Sequence, residues 1–289
     1  MARLDRMPTI PAVLAPLLRY LEQPLDRLET QQVVDLISID KSLAGQCLQM
    51  ANSPILGRCH DVENVRDAVV ALGLERMRDI ALSCSLLTLL PQNAPNCDIE
   101  PVVFWEHSLG CALVCREFAR KIGFADQGKA YLAGLLHDIG IIAHLWVFPR
   151  EYQAVLRSAR TEHIALDEAE QRILGFTHCA TGEIVAERWQ LTPDLVAVIA
   201  CHHHPANAAA HRDLVALVNL SDLLCRMWGL GHGYLEQRQV NFVEEPAFFL
   251  LLEECPSLRA LDWERFTFEL EAYMEEVHHL VGVFDRVQP

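Results

Sequence analysis

The chain has no stretch of eighteen uncharged apolar residues, no C-x-x-C pair and no excess of positive charge. The first absence argues against a membrane-spanning helix, which needs about 20 apolar residues, and no membrane association is expected. The opening MARLDRMPTIPAVLA has two prolines and no apolar core of adequate length, so no signal peptide is expected there. The ten cysteines lack the spacing of a disulfide framework. They are expected to be reduced thiols packed as small apolar residues, in a cytoplasmic protein. Lys and Arg total 24 against 39 Asp and Glu, a formal net charge of −15. Duplex binding by counterion release needs the opposite sign, so direct nucleic-acid binding is not expected; nor is binding to an anionic membrane surface. The acid gathers late, with 4 basic and 12 acidic side chains in residues 231–289, and solubility is its expected role.

What is present is apolar and helical in period. Over 289 residues, 51% hydrophobic content can fill a sizeable core. Val13, Leu14, Leu17, Leu18 and Leu21 form one stripe. Val33, Val34, Ile37, Leu43, Cys47, Leu48 and Ala51 form another, and Leu109, Ala112, Leu113, Cys115, Ala119 and Ile122 a third. Such three-and-four spacing predicts amphipathic helices, and no run of β-branched residues alternates with polar ones. The expected fold is all-α, a multi-helix bundle.

Local punctuation predicts helix ends. Asp40-Lys41-Ser42 starts a helix that stops at Asn52-Ser53-Pro54, because proline lacks a donor and restricts its predecessor. Gly73 stops a helix over 65–72, and Thr192-Pro193 starts another. The turn-rich stretch at 91–98 marks a boundary, and the composition shifts again at the glycines near 229–233. Three parts are therefore expected: an N-terminal helical part (1–95), a central part (96–230) and an acidic helical C-terminal part (231–289).

The central part carries His107, His137, Asp138, His178, His202, His203 and Asp222. All seven can bind hard or borderline metals through nitrogen or oxygen. His137-Asp138 interrupts the otherwise apolar AYLAGLLHDIGIIA, where an ionised Asp is costly unless it is paired or coordinates a cation. The order of donors predicts one or two divalent ions (Fe, Mn, Zn, Ni or Mg) held where helical segments converge. His137 and Asp138 are expected to share an ion lying over one continuous helix. Glu170 is a candidate supporting carboxylate, and His204 is expected outside the set. His144, His163, His211, His232, His278 and His279 have no place in the pattern. Cys179 and Cys201 flank ligands and are expected to pack rather than coordinate. No organic cofactor is expected.

This order resembles the HD superfamily of metal-dependent phosphohydrolases, with His137-Asp138 as the defining pair. The closer resemblance is to the HDOD family, the HD-related output domain of bacterial signalling proteins. It runs over roughly residues 7–228 through MPTIPAVLAPLLRYL, DLISIDKSLAGQCLQMANSPILG, VENVRDAVVALGLERMRDIALS, FWEHSLGCALVCREFA, LLHDIG, EAEQRILGFTHCATGEIVAERWQLTP and HHHP. Two departures bear on activity. Catalytic relatives place Lys where this chain has Ile141, and carry a Gly-Tyr-Pro loop where this chain has Pro205-Ala206-Asn207. The resemblance implies a non-catalytic regulatory or output module, in a response-regulator-like role, acting on another signalling protein, with room for a nucleotide ligand. The alternative it implies is a phosphohydrolase or phosphodiesterase acting on a nucleotide or cyclic dinucleotide. In that case His107, His137, Asp138 and Asp222 hold one ion, and Asp138, His178, His202 and His203 a second. A phosphate substrate needs a countercharge, for which Lys129 and Arg172 are distant candidates.

Overall fold

The computed structural model describes residues 14–21, 27, 29–53, 62–90, 101–233, 236 and 240–285. Among them are fifteen α-helices and no strand, as the periodicity predicts. They fall into two compact units, one within Pro91–Tyr273, the other within Pro8–Leu90 together with Met274–Pro289.

The unit of the N-terminal helices contains α1 (Leu14–Leu21), α2 (Thr30–Ser38), α3 (Lys41–Ala51), α4 (Val65–Leu72) and α5 (Leu74–Leu87). The Asp40 carboxylate accepts from the Ser42 and Leu43 amides and caps α3, satisfying donors that a helix start leaves free. Asn52 ends α3 and clamps Val62, accepting from its amide at 2.8 Å and donating to its carbonyl at 2.9 Å. Asn64 caps α4, and Gly73, at φ +88°, turns the chain into α5. Val33, Ile37, Leu43, Cys47, Ala51, Ala68 and Met77 are buried here. Arg78 and Asp79 are buried as a pair at 3.1 Å. Val13, Pro54 and the 91–98 stretch lie outside the described residues.

The larger unit begins with α6 (Pro101–Ile122), α7 (Gln127–Leu136), α8 (Ile139–Val147), α9 (Pro149–Glu162) and α10 (Leu166–Ile173). It continues through α11 (His178–Arg188), α12 (Pro193–Cys201), α13 (Arg212–Met227), α14 (Pro246–Glu254) and the first half of α15 (Trp263–Asp285). The expected single helix through the apolar stretch is two helices, because His137 and Asp138 form a turn between α7 and α8. The stretch Gln127–Val147 is long and apolar enough to cross a membrane, yet 94% of its apolar eighteen-residue window is buried inside the protein. Glycines let its neighbours come close. A Cβ on Gly134 would stand 2.8 Å from the Cys111 carbonyl of α6, and one on Gly140 would overlap the His178 carbonyl of α11.

The acidic C-terminal region packs its apolar face inward. Phe266 and Trp263 lie edge-on or tilted against Phe118 of α6, and Tyr273 donates to Glu117 at 3.1 Å. Glu253, Glu254, Glu264 and Glu271 are exposed, the distribution that a solvated acidic face predicts.

Candidate metal centre

Asp138 is the hub. The α7–α8 turn leaves it at the N-cap of α8 with no side-chain capping bond. Its side chain is 1% exposed, and neither carboxylate oxygen accepts a hydrogen bond. Oδ2 faces Nε2 of His137 at 3.2 Å, of His107 at 3.4 Å and of His232 at 3.5 Å. Oδ1 faces Nε2 of His178 and of His202, both at 3.3 Å. Charge-assisted N–H···O bonds are shorter, about 2.7–2.9 Å.

The far side of each ring explains this convergence. Nδ1 of His107 donates to the Leu230 carbonyl at 2.7 Å, and Nδ1 of His137 to the Gly134 carbonyl at 2.7 Å. Nδ1 of His202 lies 3.2 Å from the Val198 and Ile199 carbonyls. Nδ1 of His178 donates to Glu170 at 2.7 Å. Carbonyls and carboxylates only accept, so Nδ1 carries the proton on all four rings. Each neutral ring then aims the lone pair of Nε2 at the centre. Four such lone pairs and an acceptor-only carboxylate face one another with no donor among them.

Such a set needs a cation or extra protons. Nε2 of His203 and His178 are 3.0 Å apart, and those of His107 and His137 are 3.3 Å apart. Donor atoms ~2.1 Å from a shared ion, at octahedral to tetrahedral angles, stand roughly 3.0–3.4 Å apart. The donor set therefore fits a metal. Protons are the competitor. Burial disfavours charge on every ring, yet the Cys179 and Asp138 anions raise His202 to about 10. Burial, together with the neighbouring His202 and His178, keeps His203 well below the ordinary imidazole range.

The structure brings the seven residues together in two lobes that meet at Asp138. Asp222 Oδ1 lies 3.4 Å from His107 Nε2, on the Oδ2 side. His203 adjoins His178 on the Oδ1 side and is the more open ligand, its side chain 12% exposed. Local sequence builds each position. Thr177 caps α11, making His178 its first residue. His202 ends α12, and the Asn219 amide holds its carbonyl at 2.6 Å. His204 points away, with 71% of its side chain exposed.

Glu170 supports the centre from behind. Burial opposes its charge, but His178 and His144 outweigh burial and hold it at about 2. It accepts from the His178 ring and backbone amide, at 2.7 and 2.6 Å, and from Tyr152 at 2.8 Å. His144, assigned no role from sequence, bridges Glu170 to Thr181. A partner behind a metal-binding imidazole fixes its tautomer and raises its basicity. Glu170→Gln is expected to weaken metal affinity roughly 10–100-fold, read by competition with a chromophoric chelator; unchanged affinity would remove Glu170 from the site.

Three further residues depart from expectation. His232 joins the centre although the sequence pattern left it out. Cys179 lies 3.8 Å from His202 Nδ1. Burial raises its pKa, but His202 and His178 bring it to about 6, and it completes a four-residue group with His178, His202 and His203 that could hold an ion. The nearby positive charge is Arg226, which donates to Asp222 at 2.7 Å and to Glu236 at 2.9 Å. Its place four residues after Asp222, one helical turn on, was a usable signal. Lys129 pairs with Asp194, and Arg172 pairs with Glu162 and Glu168.

The HDOD domain family matches residues 7–205 of this sequence. The chain belongs to the HDOD family. An HDOD domain protein of unknown function from Geobacter sulfurreducens has a similar structure, with TM-score 0.82 and 27% identity, covering 96% of this chain and 93% of that one. A candidate signal transduction protein from Marinobacter aquaeolei VT8 has TM-score 0.78 at 24% identity, covering 98% of this chain and 60% of that one; this second likeness shows the fold. An uncharacterized protein of Treponema pallidum (strain Nichols) is 24% identical over 231 residues, 78% of this chain. The HDOD chain spans 43% of that relative's length.

Proposed function

We propose that this HDOD protein is a non-catalytic module of bacterial signal transduction whose Asp138-centred cluster holds one or two divalent ions. The observation that carries the metal reading is the shared orientation of four imidazoles: Nδ1 tied back to acceptors, Nε2 aimed at a carboxylate that accepts no hydrogen bond. The ion would link α6, the α7–α8 turn, α11, the end of α12 and α13, and so couple loading to the packing of the unit. A protein partner in signalling would read that packing. This step rests on the family and on the description of the Marinobacter aquaeolei relative.

A bound divalent ion can lower the pKa of water and polarise a phosphate oxygen, so ligands alone do not exclude hydrolysis. The chain's own residues argue against it. Ile141 is fully buried and offers no charge. Arg226 is held between two carboxylates. Loss of a transition-state contact of this kind costs about 10²–10³ in rate. Metal-loaded protein is therefore expected to leave cyclic di-GMP and p-nitrophenyl phosphate essentially intact in a product assay. Turnover above about 1 s⁻¹ that Asp138→Ala abolishes would replace this reading with a phosphodiesterase.

A further inference from the structure

We propose that His232 is an additional metal ligand, and that the segment after α13 caps the coordination position a phosphate or water would otherwise take. The inference rests on the metal reading above and extends it to a residue beyond 7–205, the span of the family match.

The segment is built to lie where it does. Gly229 and Gly233 adopt φ of +83° and +80°, a region that favours glycine, and they bracket Leu230–His232. Leu230 seats against α6 so closely that a Cβ on Gly110 would come 2.7 Å from its Cδ1. The Leu230 carbonyl accepts from His107 Nδ1, so the same segment that brings His232 also orients His107. His232 is 6% exposed, its ring centroid 4.6 Å from that of His107. Its Nε2 stands 3.5 Å from Asp138 Oδ2. His107, Asp138 and His232 form a group whose donor atoms lie within 4.8 Å of one another. Beyond His232, Glu236 pairs with Arg226.

The chemistry follows from the donor count. A catalytic metal keeps one position for water or substrate, whereas a structural site fills every position with protein. His107 and Asp138 supply two donors on the Oδ2 side, and His232 adds a third from the segment after α13. A ring that merely stacked on His107 would need no nitrogen turned toward Asp138. The cap closes the site to a phosphate, and its Glu236 shares the Arg226 guanidinium with Asp222.

The test uses full-length protein loaded with Mn²⁺, comparing wild type, His232→Ala and His232→Gln. Gln keeps the volume, so one variant remains informative if the other folds poorly. Two readouts are taken: Mn²⁺ affinity, and the water-proton relaxation rate per bound ion, which rises when water reaches the metal. The proposal expects both variants to bind Mn²⁺ at least about tenfold more weakly. It also expects relaxation per bound ion to rise as a protein ligand gives way to water. Inorganic phosphate should lower the new relaxation in the variants and leave wild type unchanged. Wild-type affinity and relaxation in both variants would overturn the capping role while leaving the metal centre standing. A wild-type protein that binds no Mn²⁺, Zn²⁺ or Fe²⁺ would instead overturn the metal reading and the cap with it.

Discussion

Asp138→Ala is expected to abolish metal binding and to lower the melting temperature of metal-loaded protein by about 5–10 °C. Asp138 faces both lobes through separate oxygens, Oδ2 toward His107 and His137 and Oδ1 toward His178 and His202. Without it neither lobe keeps its shared anion. A ligand present at about 100 times its Kd stabilises the native state by roughly 2.7 kcal/mol, and in a domain of 150–250 residues each kcal/mol moves Tm by about 2–4 °C. Calorimetry with and without a chelator checks this. Chelator should bring wild type most of the way down to the variant, whose own melting should barely respond. If the two proteins melt together in saturating metal, Asp138 does not hold an ion.

Gly140→Ala is expected to be at least as damaging, through sterics alone. The added Cβ would overlap the His178 carbonyl oxygen and sit 2.8 Å from the Gly182 amide. Both are backbone atoms of α11, so no rotamer change relieves the clash. Overpacking a core costs about 1–3 kcal/mol, and a backbone obstacle belongs at or above the top of that range. The shift would also carry His178 away from Asp138, two residues before Gly140. Expected outcomes are a loss of about 3 kcal/mol or more in urea unfolding and weaker metal binding. Near wild-type stability would show that α8 and α11 are not packed this tightly.

Much of this was legible in the sequence. Helix α4 begins at Val65 and ends at Leu72 as predicted, because Asn64 and Gly73 leave the backbone few alternatives at its ends. The order of donors along the chain pointed to one site, because few side chains both tolerate burial among apolar helices and bind metal. The α7–α8 turn was hidden, since AYLAGLLHDIGIIA is equally apolar on both sides and a periodicity argument sees one helix. His232 was hidden for a different reason: it lies in a glycine-bracketed loop, where no spacing relates it to the helices it meets. His144 and Tyr152 were unreadable because their link to His178 runs through Glu170, a contact made only after α9, α10 and α11 pack. Arg226 was readable from its i,i+4 relation to Asp222.

The most direct test of the account is elemental analysis of the full-length protein purified without added metal, beside Asp138→Ala prepared identically. Wild-type protein should carry at least about one transition-metal ion per chain and the variant close to none, because the ligand set is assembled by folding. Wild-type protein that carries no metal, and takes up none when offered Mn²⁺, Fe²⁺ or Zn²⁺ at neutral pH, would contradict it. Asp138 and the rings around it would then be a proton-sharing buried network.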